Sequence, residues 1–286
     1  KLGMSTKYIG GTKGSHILLD HPDLVAALGG RMIYFEADDG RICLVFDYLG
    51  KALVGSTDLR DSDPDNVICE ESEIDYFLKS LAGLLPGLGF DRSQIVYAFS
   101  GIRPLPASGG TAPGLISRDH SAPVMEASGS RVWPIVSLVG GKWTTFRGFA
   151  EEVADTLLVR LACSRKASTQ GLPIGGGRAF PSEHERVHWI GNVAVATGAQ
   201  AGRIETLLAR YGSTAQAIAE AEGPNPELLQ DAADYSLQEI SWIIANERVV
   251  RLEDIILRRT DIAITGRLSL IELTHIAETC ANALNW

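Results

Sequence analysis

The stretch LVGGKWTTFR, residues 138–147, sets the reading of this chain. The apolar run before and into it (Val132, Ile135, Val136, Leu138, Val139) has the character of a central strand. Gly140 and Gly141 then let backbone approach a ligand closely, and Thr144 and Thr145 open a long helical pattern. The first N–H groups of such a helix lack an intrahelical acceptor, and the macrodipole adds about half a positive charge, so an anionic oxygen is favoured there. Lys142 adds a full positive charge at the same place. Alone, the stretch leaves two readings open: an anion site, or a tight turn beside a solvated lysine.

Downstream, Phe146, Phe149, Ala150, Val153, Leu157, Leu158 and Leu161 recur at helical spacing and predict the buried stripe of a helix over residues 144–163, with Glu151, Glu152 and Asp155 outward. Upstream, a hairpin turn is expected around Ser128 and Gly129, and residues 94–99 and 114–117 read as strands flanking a Pro- and Gly-containing loop that includes residues 108–113. Residues 14–20, 31–37, 42–49 and 53–57 are short apolar runs separated by turn residues such as Asp38-Asp39-Gly40, which predicts an antiparallel meander. Glu70, Glu71 and Glu73 suit a helix start, followed by Ile74, Phe77, Leu78, Leu81 and Leu85 and stopped by Pro86-Gly87. After Cys163 the chain turns polar and glycine-rich up to Gly175-Gly176-Gly177, and beyond Pro181 helical patterns fill residues 203–211, 215–222, 237–247, 252–257 and 269–284. The expected fold class is therefore α+β: an antiparallel or mixed sheet domain over residues 1–165, then a small all-α domain over residues 166–286.

The 286 residues carry 45% hydrophobic and 21% charged side chains, as a globular chain does. A formal net charge of -9 argues against a nucleic-acid partner but not against a small anion, whose site needs only a few local cations. Cys43, Cys69, Cys163 and Cys280 are widely spaced and read as buried, reduced thiols. No metal site is indicated: His184, His188 and His275 lack ligand spacing, and His21 and His120 fall in loops. No run of about 18 apolar residues suggests a membrane span. A dinucleotide fingerprint is missing too: Gly10-Gly11-Thr12-Lys13-Gly14 has the wrong spacing, and the three glycines at 175–177 precede Arg-Ala-Phe-Pro rather than a helix.

Five motifs occur in order: Lys13-Gly14-Ser15-His16, Gly55-Ser56-Thr57-Asp58, Ser100-Gly101-Ile102-Arg103-Pro104-Leu105, Ser117-Arg118-Asp119 and the glycine turn at 140–145. Taken singly, His16 is a strand-start histidine that fits a structural role as well as a base. Arg103, between glycine and proline in a rigid turn, offers a planar fork for phosphate or caps a loop. Arg118 is a second phosphate partner or pairs with Asp119. Asp58 reads as a cap of the turn after its strand.

As a set these motifs resemble the FAD-dependent glycerol-3-phosphate dehydrogenases, from about residue 13 to the C-terminus. The resemblance implies the substrate-side (cap) domain of a flavin oxidoreductase and the helical domain that follows it. It implies that His16 stands by the substrate's C2 hydroxyl as the catalytic base, with Arg103 beside it. Arg103, Arg118 and Lys142 would clamp the phosphate, and Gly140, Gly141, Lys142, Thr144 and Thr145 would meet the flavin. It implies oxidation of glycerol 3-phosphate to dihydroxyacetone phosphate, electrons passing through FAD to a quinone, and peripheral attachment to the inner face of the cytoplasmic membrane. A homodimer stays open. Family members carry the dinucleotide fingerprint at their own N-terminus, so the expectation is a C-terminal portion lacking the Rossmann half, inactive and without FAD when alone. Two other readings remain: a flavin oxidase on the same scaffold, and a folded binding or assembly module without catalysis.

Overall fold

The computed structural model describes residues 6–61, 63–108 and 115–286. The chain divides into two compact units, Lys1–Gln170 and Gly171–Trp286.

In the first unit the central strand is β1 (Thr12–Leu19). It is followed by α1 (Pro22–Leu28), β2 (Ile33–Glu36), β3 (Ile42–Tyr48), β4 (Lys51–Gly55), β5 (Leu59–Arg60), α2 (Glu71–Leu84) and β6 (Ile95–Arg103). The sheet runs β2-β3-β4-β1-β5, with β6 also on β1, and every pairing is antiparallel. The expected meander is thus interrupted: β1 leaves its chain neighbour β2 and pairs with β4 and β6. The intervening α1 escaped the sequence reading, although Pro22 opens it, the His21 ring accepts from the Leu24 N–H and Gly29 ends it in the left-handed region.

Strand alternation sorts β1 into two faces. Ile17 and Leu19, with Val45 and Val54 from neighbouring strands, meet Ile74, Phe77 and Leu81 of α2 in one core. Each such large side chain, fully buried, contributes about 1.5–3 kcal/mol. Glu71 and Glu73 in the first turn of α2 match the expected dipole pattern, and Leu85 caps the end before Pro86.

Later in this unit the structure departs from expectation. Arg103 closes β6, opposite Thr12, rather than sitting in a turn, because the strand runs on through Gly101. Residues 115–117 form no strand; residues 109–114, including most of the expected loop, lie outside the described residues. The run at 132–139 is not the central strand: only β8 (Ile135–Val136) pairs, with β7 (Val124–Met125), and Val139 bridges Ser121. Val132 is 80% exposed. The helix α3 (Phe146–Arg160) exists, but none of its residues is buried, and Phe146, Leu157 and the flanking Leu161 stand open to solvent. Helical spacing records an apolar face; among the described residues it is only half covered, at Phe149, where the His120 ring stacks, and at Val153 and Leu158. All four cysteines are free, Cys43 and Cys280 buried, but Cys163 beyond α3 is exposed, against the expectation of four buried thiols.

The second unit is helical: α4 (Arg186–Thr197), α5 (Ala201–Tyr211), α6 (Ala215–Glu222), α7 (Leu237–Asn246), the single turn α8 (Leu252–Asp254) widening into a π-turn at Ile255–Arg259, and α9 (Leu270–Leu284). Two apolar clusters hold it, one around Ile240, Ile243 and Ile276, the other around Ile204, Leu207 and Ile218. Among the described residues no helix is long and apolar enough to cross a membrane.

Candidate functional site

His16 and Arg103 come together on the face of β1 turned away from α2. Alternation puts Gly14 and His16 on that face and Lys13 and Ser15 on the other. Register sets His16 opposite Phe99 on β6 and Gly55 on β4. The imidazole stacks on Phe99 with ring centroids 5.0 Å apart and planes 7° from parallel. Gly55 is required beneath it, since a Cβ there would fall 2.1 Å from the ring's Cδ2. His16 Nδ1 is buried and has no hydrogen-bond partner among the described residues. Burial, and then the Arg103 charge, lower the pKa of His16 to about 4, so the ring is neutral at physiological pH.

Arg103 reaches back over Gly14, where any Cβ would lie 2.1 Å from Nη2. Nη2 donates to Ser56 Oγ at 2.8 Å, and both Nη1 and Nη2 lie 3.3 Å from the Thr57 carbonyl oxygen. Nη1 also meets Asp58 Oδ1 at 3.3 Å, so Asp58 partners Arg103 instead of only capping a turn. Burial pushes the Arg103 pKa down, Asp58 opposes that, and the nearby Arg118 adds to it. Arg118 itself is exposed and makes no ion pair with Asp119 among the described residues. Three of the expected residues therefore share one electrostatic neighbourhood: a neutral base, a half-buried guanidinium and a second, solvated one.

The glycine turn lies beside this group without touching it. Gly140 (φ 71°) and Gly141 (φ 100°) both occupy the left-handed region, and a Cβ on Gly140 would come within 2.5 Å of the Asp119 carbonyl oxygen. The same added atom would sit 3.5 Å from Pro106, three residues past Arg103. Trp143–Thr145 forms a 3₁₀ turn leading into α3. Thr145 Oγ1 accepts from Lys142 N at 3.2 Å and donates to Lys142 O at 3.1 Å, so that hydroxyl closes the turn. Lys142 and Thr144 are exposed, and Trp143 is 90% exposed. No contact joins the Lys142 side chain to His16 or Arg103 among the described residues.

Sequence reasoning missed the layer underneath. Lys13 Nζ binds Glu73 Oε2 at 2.7 Å, with side-chain exposures of 6% and 3%. Glu73 Oε1 accepts from Thr57 Oγ1 at 2.6 Å and from Ser15 Oγ at 2.8 Å. Burial works to raise the Glu73 pKa, but Lys13, Thr57, the Glu70 N–H and Ser15 together hold it below the ordinary carboxylate value. The signal was the alternation of Lys13 and Ser15 with Gly14 and His16, which sends a lysine into the core. A lysine there needs a carboxylate.

A cavity of about 860 Å³ lies in the second unit, lined by Gly175, Phe180, Arg210, Trp242 and neighbours. Its Arg210 is already paired with Asp234 and Glu239, so size alone does not make it the candidate site.

Residues 3–156 match the family described as FAD dependent oxidoreductase, and residues 167–286 match the C-terminal domain of alpha-glycerophosphate oxidase. A glycerol-3-phosphate dehydrogenase of Synechocystis sp. is 32% identical over 97% of this chain and 50% of its own length. A D-erythritol 1-phosphate dehydrogenase of Brucella abortus is 28% identical over 87% of this chain and 48% of its own. The chain thus spans about half the length of these relatives. In fold it resembles the crystal structure of glycerol-3-phosphate dehydrogenase from Bacillus halodurans complexed with FAD, with a TM-score of 0.75 at 19% identity, covering 98% of this chain and 54% of that one. On the match that takes in β1, β6, the His16–Arg103 site and the glycine turn, this chain belongs to the FAD dependent oxidoreductase family.

Proposed function

We propose that this chain supplies the substrate side of an FAD-dependent sn-glycerol-3-phosphate dehydrogenase, which oxidises the C2 alcohol to the ketone of dihydroxyacetone phosphate. The observation that carries this reading is a neutral His16 imidazole held beside the Arg103 guanidinium. A base kept uncharged can take a proton, and a cation next to it attracts the phosphate of a substrate or the alkoxide that forms. Arg103 and Arg118 draw the phosphate in, and Lys142 joins them as the third cation. A bound dianion offsets the Arg103 charge, which raises the affinity of the His16 ring for the hydroxyl proton it accepts.

The glycine turn fits a flavin edge. Gly140 and Gly141 fold the turn in the left-handed region against Asp119 and His120, and the exposed start of the turn before α3 offers N–H groups to an anionic ring edge. Thr144 would face that edge, while the Thr145 hydroxyl keeps the turn closed. Gly140, Gly141 and Thr144 would hold a bound FAD, which would supply the hydride acceptor. A phosphorylated polyol is favoured over a carboxylate because two guanidinium groups, Arg103 and Arg118, share one neighbourhood and the named relatives above act on polyol phosphates. From the family resemblance this reading also includes a quinone acceptor and peripheral attachment to the inner face of the cytoplasmic membrane, with oxygen as the alternative acceptor. A second reading, a binding module that holds no FAD, is favoured by the missing G-x-G-x-x-G unit; flavin absorbance in the purified 286-residue chain would remove it.

The test is a calorimetric titration of the chain with glycerol 3-phosphate, beside D-erythritol 1-phosphate. Arg103→Ala is expected to weaken binding roughly tenfold, the worth of one charge-assisted hydrogen bond, and Lys142→Ala by less. Equal affinity in wild type and both variants would sink the site assignment.

A further inference from the structure

We infer that Glu73 is a positioning residue for Arg103, acting across the sheet through Thr57. The inference rests on the reading of Arg103 as an anion-binding group. Thr57 is clamped on its side-chain end: its Oγ1 donates to Glu73 Oε1 at 2.6 Å and accepts from the Ser15 N–H at 2.9 Å. The other Glu73 oxygen is held by Lys13 Nζ at 2.7 Å and the Glu70 N–H at 2.9 Å. A carboxylate with both oxygens so engaged cannot rotate, and Thr57 is only 1% exposed.

On its backbone end Thr57 does different work. Its carbonyl oxygen stands 3.3 Å from both terminal nitrogens of Arg103, between Ser56 Oγ and Asp58 Oδ1. Residues 56, 57 and 58 thus form a fork of three oxygens around the guanidinium, and the middle one is fixed in place by Glu73. Arg103 has little choice of position on the opposite side, because Gly14 is the floor beneath it. Direction at Arg103 is therefore set by a carboxylate that never touches it.

Ser15 supplies the control. Its hydroxyl bonds the same Glu73 oxygen at 2.8 Å but makes no contact with Arg103. Removing either hydroxyl costs the buried carboxylate one hydrogen bond, and only removal at Thr57 frees the fork.

The experiment compares Thr57→Val, Thr57→Ser, Ser15→Ala and Glu73→Gln in the full 286-residue chain. One readout is the side-chain guanidinium ¹⁵N signals of Arg103. The other is the Kd of glycerol 3-phosphate, with inorganic phosphate as a second probe. Thr57→Val is expected to average the Arg103 signals and raise Kd about tenfold, the loss of one charge-assisted contact. Thr57→Ser is expected to restore both, and Ser15→Ala to leave both unchanged while lowering thermal stability. Glu73→Gln, which weakens the same contact with little change of shape, is read in the same way and stands in if Thr57→Val does not fold. Arg103 signals that stay resolved in Thr57→Val and Glu73→Gln overturn the positioning role, even if both variants melt earlier. If instead Arg103→Ala binds both probes as wild type does, the anion-site reading falls, and the Arg103 signals still decide the positioning role alone.

Discussion

Two buried charge clusters among the described residues are finished differently. In the second unit Arg203 meets Glu222 and Glu239, and Arg210 meets Glu239 and Asp234, while the Tyr235 ring lies 3.6 Å from the Arg210 guanidinium carbon. Every charge there has its opposite on a neighbouring helix or loop, so the cluster is closed and its role is to lock α5, α6 and α7. In the first unit only the lower half is closed, by Lys13 and Glu73. Above it, among the described residues, Arg103 has a single carboxylate at 3.3 Å and His16 Nδ1 has no hydrogen-bond partner. Charge that is fully matched holds a fold; charge left partly unmatched is available to a ligand.

The sharpest way to break this contrast is to open the closed cluster. Glu239→Leu leaves Arg203 and Arg210 short of a partner and should cost about 3–5 kcal/mol, read as a lowered urea midpoint. A loss below about 1 kcal/mol would mean that the cluster is no lock.

The open cluster should show itself through pH. The folded pKa of His16, about 4, lies below its ordinary value near 6.5, so as pH falls the unfolded chain takes up the proton first. The contribution of His16 is intact above about pH 6.5 and is lost progressively down to about pH 4, amounting to about 2 kcal/mol between pH 7.5 and 5. Subtracting the urea stability curve of His16→Gln from that of wild type isolates this slope, and parallel curves would refute the depressed pKa.

The smallest effect sharpens the contrast from outside both clusters. Phe146→Ser and Leu157→Ser on α3 should each change stability by no more than about 0.5 kcal/mol in thermal melts, because neither side chain is buried. Losses of about 2–5 kcal/mol would restore the buried stripe that helical spacing suggested.

That stripe marks where the sequence stopped being informative. Hairpin β3–β4 and helices α2, α6, α7 and α9 were legible because each is decided within its own few residues, by alternation, capping or a stop at proline or glycine. The run at 132–139 was misread as central because apolar character says nothing about which strands are near enough to pair. The motifs around His16 and Arg103 were visible, and strand register joins those two. Glu73 was visible only as a helix-start acid. Its inward turn depends on Lys13, which the alternation of β1 delivers from far along the chain.

The register of β1 has a temporal consequence as well. Residue 12 pairs with residue 103, whereas in the second unit α4, α5 and α6 each pack on the next helix along the chain. Closing such a long loop must precede any reward from the contacts it makes, so high contact order slows the first unit relative to the second. His16 sits on one side of that late closure and Arg103 on the other. A ligand that bridges the two would therefore favour molecules in which this long-range strand pairing has formed.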